Sequence, residues 1–320
     1  MTVNFSAEKI SATLQSVGQV MVGQDAVVRR LLMGLLCDGH VLLEGLPGLA
    51  KTTAVKALSD SSDLSVSRIQ FTPDLLPADV LGTQVYNPKE GNFSVKKGPI
   101  FCNLLIADEI NRAPAKVQSA LLEAMQEKQI TLGEETFVLQ EPFLVMATQN
   151  PIEQEGTYPL PEAQMDRFLF KVKVFYGTKE EEIEVMRRMA SGSKAVLEQT
   201  LSANDILDMR RELDQVYMSD EVRAYIVDLV FATRRFPGVK PSAFTGMIQV
   251  GASPRASINL EKAARANAYL EGRDYVTPQD IKDVGADVLR HRIQPTFEAE
   301  ASDIDSDALI EQLFGLVAVP

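Results

Sequence analysis

A glycine-bearing loop between an apolar stretch and a helix-forming stretch carries the residues best suited to chemistry. Residues 41–45 predict a short strand, and a helix is predicted to begin at Lys51. This order gathers backbone N–H groups and a helix N-terminus around one point, which favours the binding of phosphate oxygens. The predicted phosphate-binding loop consists of Gly45, Leu46, Pro47, Gly48, Leu49, Ala50, Lys51, Thr52 and Thr53.

Three residues of this loop decide how it would act. Lys51 would place a positive charge on the terminal phosphates, and the Thr52 hydroxyl would reach a magnesium ion. Ala50 stands where the usual pattern G-x-x-x-x-G-K-[ST] has its second glycine, and a methyl group is tolerable there only if φ is negative. The loop predicts nucleotide binding, and a second motif is needed to support it.

That second motif is a pair of carboxylates after an apolar run. Residues 101–107 are nearly all apolar, and Asp108 and Glu109 follow them. Buried strands of parallel sheets have this composition, and their carboxyl ends form the edge where ligands bind. Asp108 is therefore a candidate magnesium ligand, and Glu109 is a candidate general base for an attacking water. An isolated Asp-Glu pair more often marks a solvated turn, but the upstream loop favours a site.

Composition limits the class of protein. A chain of 320 residues with 45% hydrophobic and 24% charged residues is typical of a soluble protein with two domains. The net charge of −12 argues against a general nucleic-acid binder. Two histidines and no HExxH pattern argue against a histidine-rich metal site.

Targeting signals are not evident in the sequence. The first residues lack the basic start and apolar stretch of a signal peptide, and no apolar run approaches the ~20 residues of a membrane span. Cys37 and Cys102 lie in apolar segments without a CxxC pattern, which suits a reducing compartment. We expect a cytoplasmic protein.

The order of elements predicts an α/β fold. Five apolar stretches read as strands of a parallel sheet flanked by helices, and the chain after about residue 178 reads as helices. Residues 70–98 look like an insert, and residues 129–139 look like a hairpin that turns at Gly133. We expect a nucleotide-binding domain over residues 1–180 and a helical domain over residues 181–320.

With these residues identified, the chain resembles the AAA+ ATPases, and most closely the MoxR family, over nearly its whole length. Residues 45–53 are similar to the Walker A loop, where an alanine before the lysine is common in the family, and Asp108–Ala113 is similar to the Walker B segment. The resemblance implies a P-loop fold with a five-stranded parallel sheet and an all-helical lid. The insert and the hairpin resemble those of the clade that includes the magnesium-chelatase subunits.

The resemblance also assigns roles to single residues. Asn150 is similar to the sensor-1 residue that orients the attacking water, although an asparagine before Pro151 could also simply close a turn. Arg255 is similar to the sensor-2 arginine of the lid. Val22 and Gly23 are candidates for adenine contacts by their position in the family only.

One inter-subunit role has two candidates. Arg167, in the segment Pro159–Phe168, is similar to an arginine finger that enters the site of a neighbouring subunit. Arg112 is the alternative, and Arg167 could also form an ordinary surface salt bridge. We expect Arg167 to be the finger and leave Arg112 open.

The resemblance implies Mg-ATP hydrolysis by a homo-oligomeric ring, a hexamer, that remodels a client protein or assists metal-centre assembly. It also implies a partner with a von Willebrand factor A domain. One alternative is a nucleotide-gated switch with little hydrolysis, and another is a DNA-associated motor, which the acidic charge disfavours. A GTPase is not expected, because the chain has no N-K-x-D guanine-recognition motif.

Overall fold

The computed structural model describes residues 7–18, 20–46, 51–89, 91–151, 156–191, 197, 199–235 and 242–320. The chain divides into two compact units, Glu8–Phe168 with Val172–Leu207 and Leu169–Lys171 with Asp208–Pro320. The domain boundary that the sequence suggests at residue 180 stays a prediction.

A five-stranded parallel sheet forms the centre of the first unit. The strands up to residue 175 are β1 (Val41–Gly45), β2 (Val66–Gln70), β3 (Gly82–Asn87), β4 (Asn92–Lys97), β5 (Leu104–Asp108), β6 (Gln129–Leu132), β7 (Glu135–Val138), β8 (Leu144–Gln149) and β9 (Phe170–Val174). The large sheet has the order β2-β5-β8-β1-β9. Every residue of β5 is buried, as the continuous apolar sequence of a central parallel strand requires. The predicted fold class is confirmed.

Helices flank this sheet. They are α1 (Ala7–Gly18), α2 (Asp25–Leu36), α3 (Lys51–Asp60), α4 (Pro77–Leu81), α5 (Ala115–Glu127), α6 (Glu162–Met165) and α7 (Lys179–Ser191). Helix α5 shows why its sequence folds this way, because Val117, Leu121, Leu122 and Met125 recur at helical spacing and are all buried in the core. A 3-10 turn over Ile110–Arg112 connects β5 to α5.

Two hairpins accompany the sheet. The segment between β2 and β5 contains α4 and the antiparallel pair β3–β4, and residues 129–138 form the antiparallel pair β6–β7. Gly133 lies in the turn of the second hairpin with a φ of +67°, a conformation that favours glycine. The Gln84 side chain donates to the Leu132 carbonyl at 3.3 Å, so the two hairpins contact each other.

The chain after residue 200 is mainly helical. Its elements are α8 (Ala203–Leu213), α9 (Asp220–Ala232), α10 (Ala243–Gly246), β10 (Ile248–Val250), α11 (Pro254–Leu270), α12 (Pro278–Leu289), β11 (Gln294–Pro295), α13 (Phe297–Glu300) and α14 (Ser306–Leu316). The helical lid is thus confirmed, and it also holds an antiparallel pair, β10–β11, that the sequence did not predict. Strands of three and two residues are too short to show a period of two.

An ion pair between a buried carboxylate and a partly exposed arginine lies at the start of α12. The Asp280 carboxylate is 1% exposed and accepts hydrogen bonds from both terminal nitrogens of Arg273. It also accepts from the backbone N–H and hydroxyl of Thr277 and from the amide of Asn267. This carboxylate therefore caps the helix, and Arg273 compensates its negative charge.

Candidate nucleotide site

The candidate site lies at the carboxyl edge of the parallel sheet. Strand register pairs Glu44 of β1 with Gln149 of β8, and Gln70 of β2 with Asp108 of β5. These strands therefore end at the same edge, so Gly45, Asp108 and Asn150 are brought to one side of the first unit. This is the edge at which open α/β sheets bind ligands.

Part of the predicted phosphate-binding loop can be described. Pro47, Gly48, Leu49 and Ala50, and the side chains of Lys51 and Thr52, lie outside the described residues. On either side, β1 ends at Gly45, Leu46 follows it, and α3 begins at Lys51 with Thr53 exposed in its first turn. The strand–loop–helix order that a phosphate site needs is therefore present around the undescribed residues.

Gly45 has a packing reason to be glycine. A Cβ atom at this position would lie 2.6 Å from the Val174 carbonyl oxygen of β9. Real Cβ atoms do not approach a backbone oxygen so closely, and a backbone cannot swing aside as a long side chain can. This contact alone explains why the residue is glycine, whether or not a phosphate binds nearby. A role for Gly45 in phosphate binding stays a prediction.

The Asp108 carboxylate is buried and held at both oxygens. Its Oδ1 accepts a hydrogen bond from the Thr148 hydroxyl at 3.2 Å, and its Oδ2 accepts one from Arg68 Nε at 2.7 Å. The Asp108 side chain is 9% exposed, whereas the Arg68 side chain is 58% exposed. A guanidinium thus offsets the charge of this carboxylate at the edge of the sheet.

Glu109 lies in a left-handed turn immediately after Asp108. Its φ of 56° and ψ of 51° are uncommon for a non-glycine residue, and its N–H donates to the Thr148 hydroxyl at 2.9 Å. Glu109 Oε2 accepts from Gln70 Nε2 at 2.8 Å and from Arg112 Nη1 at 2.9 Å. Strained residues of this kind concentrate at functional sites when neighbouring groups fix them.

Thr148 connects the two carboxylate residues. Its hydroxyl accepts from the Glu109 N–H and donates to Asp108 Oδ1, so one side chain of β8 orients both residues at the end of β5. Asn150 lies two residues further along and is buried, with 6% of its surface exposed. The predicted orienting role of Asn150 stays a prediction.

The residues present fit magnesium only together with a nucleotide. Asp108 supplies a hard oxygen, and Thr52 would supply a second. Within the described part of the chain, no group of three or more His, Cys, Asp or Glu side chains could enclose a metal ion. Magnesium sites with one or two protein oxygens normally complete their shell with phosphate oxygens and water, and this site would belong to that class.

The two candidate arginine fingers have different surroundings. Arg167 is half-buried, and its Nη1 donates to the Leu122 carbonyl of α5 at 2.8 Å. Arg112 forms its ion pair with Glu109 of its own chain. The structure therefore brings Arg112, and not Arg167, into contact with the predicted base of the same subunit.

The other predicted contacts lie further along the chain. Arg255 is the second residue of α11, and its N–H donates to the Ser253 hydroxyl that caps the helix. Arg255 belongs to the second unit, and its sensor-2 role stays a prediction.

Gly23 lies beside the start of α7, and Val22 precedes it in the chain. Gly23 has a φ of +70°, and a Cβ on it would lie 2.5 Å from the carboxylate carbon of Glu181. Gln24 Nε2 donates to the Phe175 carbonyl at 3.4 Å, which fixes the same segment. Their predicted adenine contact stays a prediction.

Three functional candidates were missed from the sequence: Arg68, Gln70 and Thr148. Arg68 and Gln70 alternate on β2 and therefore point to one face, as residues two apart on a strand do. The sequence signal that could have identified Arg68 and Gln70 is the polar end of β2, the strand that neighbours β5, which ends at Asp108. Using it requires the strand order β2-β5-β8, which is a property of the fold.

Comparisons with known proteins agree with this geometry. Residues 40–170 match the model of the ATPase family associated with various cellular activities (AAA), and residues 242–313 match the AAA lid domain. A crystal structure from Cytophaga hutchinsonii has a TM-score of 0.90 and 51% identity, and the match covers 98% of this chain and 96% of that one.

Two curated relatives carry the family name. Chaperone MoxR1 of Mycobacterium tuberculosis is 49% identical over 95% of this chain and 80% of its own length. Protein MoxR of Methylorubrum extorquens is 31% identical over 96% of this chain and 94% of its own length. None of the described helices has the length and apolar character that a membrane span needs. Matched along nearly its whole length by these relatives, the chain belongs to the MoxR family of AAA ATPases.

Proposed function

We propose that this protein binds Mg-ATP at the carboxyl edge of its sheet and hydrolyses it to ADP and phosphate. The observation that carries the proposal is the pair Asp108–Glu109 at the end of β5. Thr148 forms a hydrogen bond with each of these two residues, next to β1, the strand that leads into α3. The AAA family membership supports the same reaction.

Each residue would have a separate role. The N–H groups of the loop, Lys51 and Thr52 would bind the phosphates, and magnesium, held through Thr52 and Asp108, would offset charge on the β- and γ-phosphates. Glu109 would accept a proton from the attacking water, and Asn150 would orient that water. The bonds from Gln70 and Arg112 fix Glu109 through Oε2, and Oε1 would take the proton.

Hydrolysis would be completed between subunits of a ring. Arg167 would enter the site of the neighbouring subunit and stabilise charge in the transition state, an effect on the order of 10³–10⁵ in turnover in related systems. The ion pair of Arg112 with Glu109 of its own chain supports Arg167 for this role. Arg255 of the lid would contact the nucleotide, and Val22 and Gly23 would contact the adenine.

The ring, a hexamer in this proposal, would couple hydrolysis to the remodelling or assembly of a client protein or metal centre. The relative named Chaperone MoxR1 supports a chaperone role. A partner with a von Willebrand factor A domain would belong to the same system.

A substitution of the base tests the reaction. Glu109→Gln keeps the shape of the side chain and removes its basicity, so turnover should fall on the order of 10²–10⁴-fold while binding of a fluorescent ATP analogue is retained. Glu123→Gln, an exposed position on α5, is the matched control and should retain turnover. Equal turnover in wild-type protein and Glu109→Gln would remove Glu109 from this role.

A nucleotide-gated switch is the second candidate. The observation that favours it is that two donors, Gln70 and Arg112, engage Glu109 Oε2 in this structure. Tight ATP binding with negligible turnover in the wild-type protein, at every protein concentration, would support the switch.

A further inference from the structure

Gln118 is a buried amide that touches two functional segments. It lies in α5 with 0% of its surface exposed. Its Nε2 is 3.2 Å from the Ile110 carbonyl and 3.1 Å from the Ala113 carbonyl, on the turn behind Glu109. The same Nε2 is 2.9 Å from the Tyr158 carbonyl, on the segment that continues to Arg167.

The amide is an expensive choice for this position. Its Oε1 is buried and has no hydrogen-bond partner among the described residues. Leaving a buried acceptor unpaired costs stability, and a methionine or leucine of similar volume would avoid that cost. A side chain that serves packing alone would therefore be apolar, whereas the side-chain amide of Gln118 donates hydrogen bonds to three backbone carbonyls.

The contacts around Gln118 join the two segments physically. The Tyr158 N–H donates to the Asn111 carbonyl at 2.6 Å, so both backbone groups of Tyr158 are held beside the turn behind Glu109. Further along the segment, Gln164 donates to the Ser119 hydroxyl and Arg167 donates to the Leu122 carbonyl. The segment thus rests on α5 from Tyr158 to Arg167, and Gln118 bonds it to the turn of the base.

We propose that Gln118 is a positioning residue that couples the turn of Glu109 to the segment of Arg167. A change at the nucleotide site moves the turn over residues 110–113, and Gln118 passes that movement to the segment that presents Arg167 to the next subunit. This inference rests on the proposed nucleotide site and names the path by which one subunit would signal its state to another.

A spin label on the segment measures the coupling directly. Ala163 is exposed on α6, and Ala163→Cys offers a labelling position there. Both native cysteines are buried, and burial raises the pKa of the Cys102 thiol to about 11, so the added cysteine is the reactive one. The protein also carries Glu109→Gln so that added ATP persists.

With Gln118 present, ATP should change the spectrum of the label. In Gln118→Met the change should disappear while the ATP dissociation constant is unaltered. Gln164→Met is the matched control, because that amide bonds the segment to Ser119 and does not touch the turn, and it should keep the response. In proteins that retain Glu109, Gln118→Met should lower kcat on the order of tenfold or more with KM for ATP unchanged.

Each outcome has one meaning. If ATP changes the spectrum of the label equally in proteins with Gln118 and with Gln118→Met, the proposed coupling is overturned. It is also overturned if ATP binds to both proteins and changes the spectrum in neither. A protein that binds ATP and shows the response but has no ATPase activity contradicts the proposed hydrolysis and leaves the coupling standing. If Gln118→Met does not fold by circular dichroism, Gln118→Leu replaces it, and failure of both to fold assigns Gln118 to the core and overturns the proposal.

Discussion

Arg68 Nε donates a hydrogen bond of 2.7 Å to Asp108 Oδ2, so an arginine of β2 is bound to the carboxylate that is proposed to face magnesium. The ion pair joins an exposed cation to a buried anion. Magnesium and Arg68 would therefore compete for the negative charge of Asp108.

Removing this arginine should strengthen metal binding. In Arg68→Gln, the concentration of Mn²⁺ that half-saturates the ADP complex should fall about 1.4- to fivefold, because partly exposed ion pairs contribute ~0.2–1 kcal/mol. Electron paramagnetic resonance of free Mn²⁺ measures this binding without turnover. Arg112→Gln, which removes one of the two partners of Glu109, is the control and should change metal affinity less. Weaker Mn²⁺ binding in Arg68→Gln would contradict the competition.

A methyl group at Gly45 should destabilise the fold before any nucleotide is added. Gly45→Ala places a Cβ 2.6 Å from the Val174 carbonyl oxygen, and such overpacking costs about 1–3 kcal/mol. Urea unfolding of the nucleotide-free protein measures the loss. Gly315→Ala is the control, because a Cβ there meets no atom within 4 Å in α14, and it should be neutral or stabilising. An unchanged free energy of unfolding with lost ATP binding would instead give Gly45 a purely phosphate-binding role.

The buried Asp280 should make the second unit sensitive to acid. Burial acts to raise the pKa of Asp280, but hydrogen bonds from Arg273, Thr277 and Asn267 outweigh it and hold the pKa below its usual value. A carboxylate with a lowered pKa stabilises the fold above its unfolded pKa of about 3.9, and loses that contribution as pH falls through the lower folded value.

Asp280→Asn should therefore reduce the free energy of unfolding by about 1.5–3 kcal/mol at pH 7, because it removes the charge from the hydrogen bonds that Arg273 and Thr277 donate to this side chain. The difference from wild-type protein should shrink below about pH 4. Asp220→Asn removes the exposed partner of Arg223 and should change stability by less than about 1 kcal/mol. A pH-independent difference for Asp280→Asn would contradict the role of its charge.

The fold was largely predictable because its signals are local. The apolar run before Asp108 predicts a buried strand, the spacing of Val117, Leu121 and Met125 predicts α5, and Ser253 before Pro254 predicts the start of α11. Each of these depends on neighbouring residues only, through burial, helical period and capping. The pair β10–β11 was not predictable, because its five residues carry no pattern.

The detailed site was less predictable because it depends on strand order. Nothing near Arg68 in the sequence shows that β2 lies beside β5, and the partner of Asp108 follows from that neighbour relationship. Likewise, the sequence shows Gln118 only as a polar position on an amphipathic helix. Its hydrogen bond to the Tyr158 carbonyl, 40 residues away, is visible only in the structure. The motifs identify the groups that are proposed to react, and tertiary contacts identify the groups that are proposed to position them.

The most direct test of the central claim is the steady-state ATPase rate per subunit, with magnesium, as a function of protein concentration. The proposed site between subunits predicts a rate that rises steeply with concentration and then saturates, because a lone subunit lacks the arginine of its neighbour. Arg167→Ala should remain low at every concentration. A flat wild-type rate under conditions where ATP is bound, or an undiminished rate in Arg167→Ala, would contradict the account.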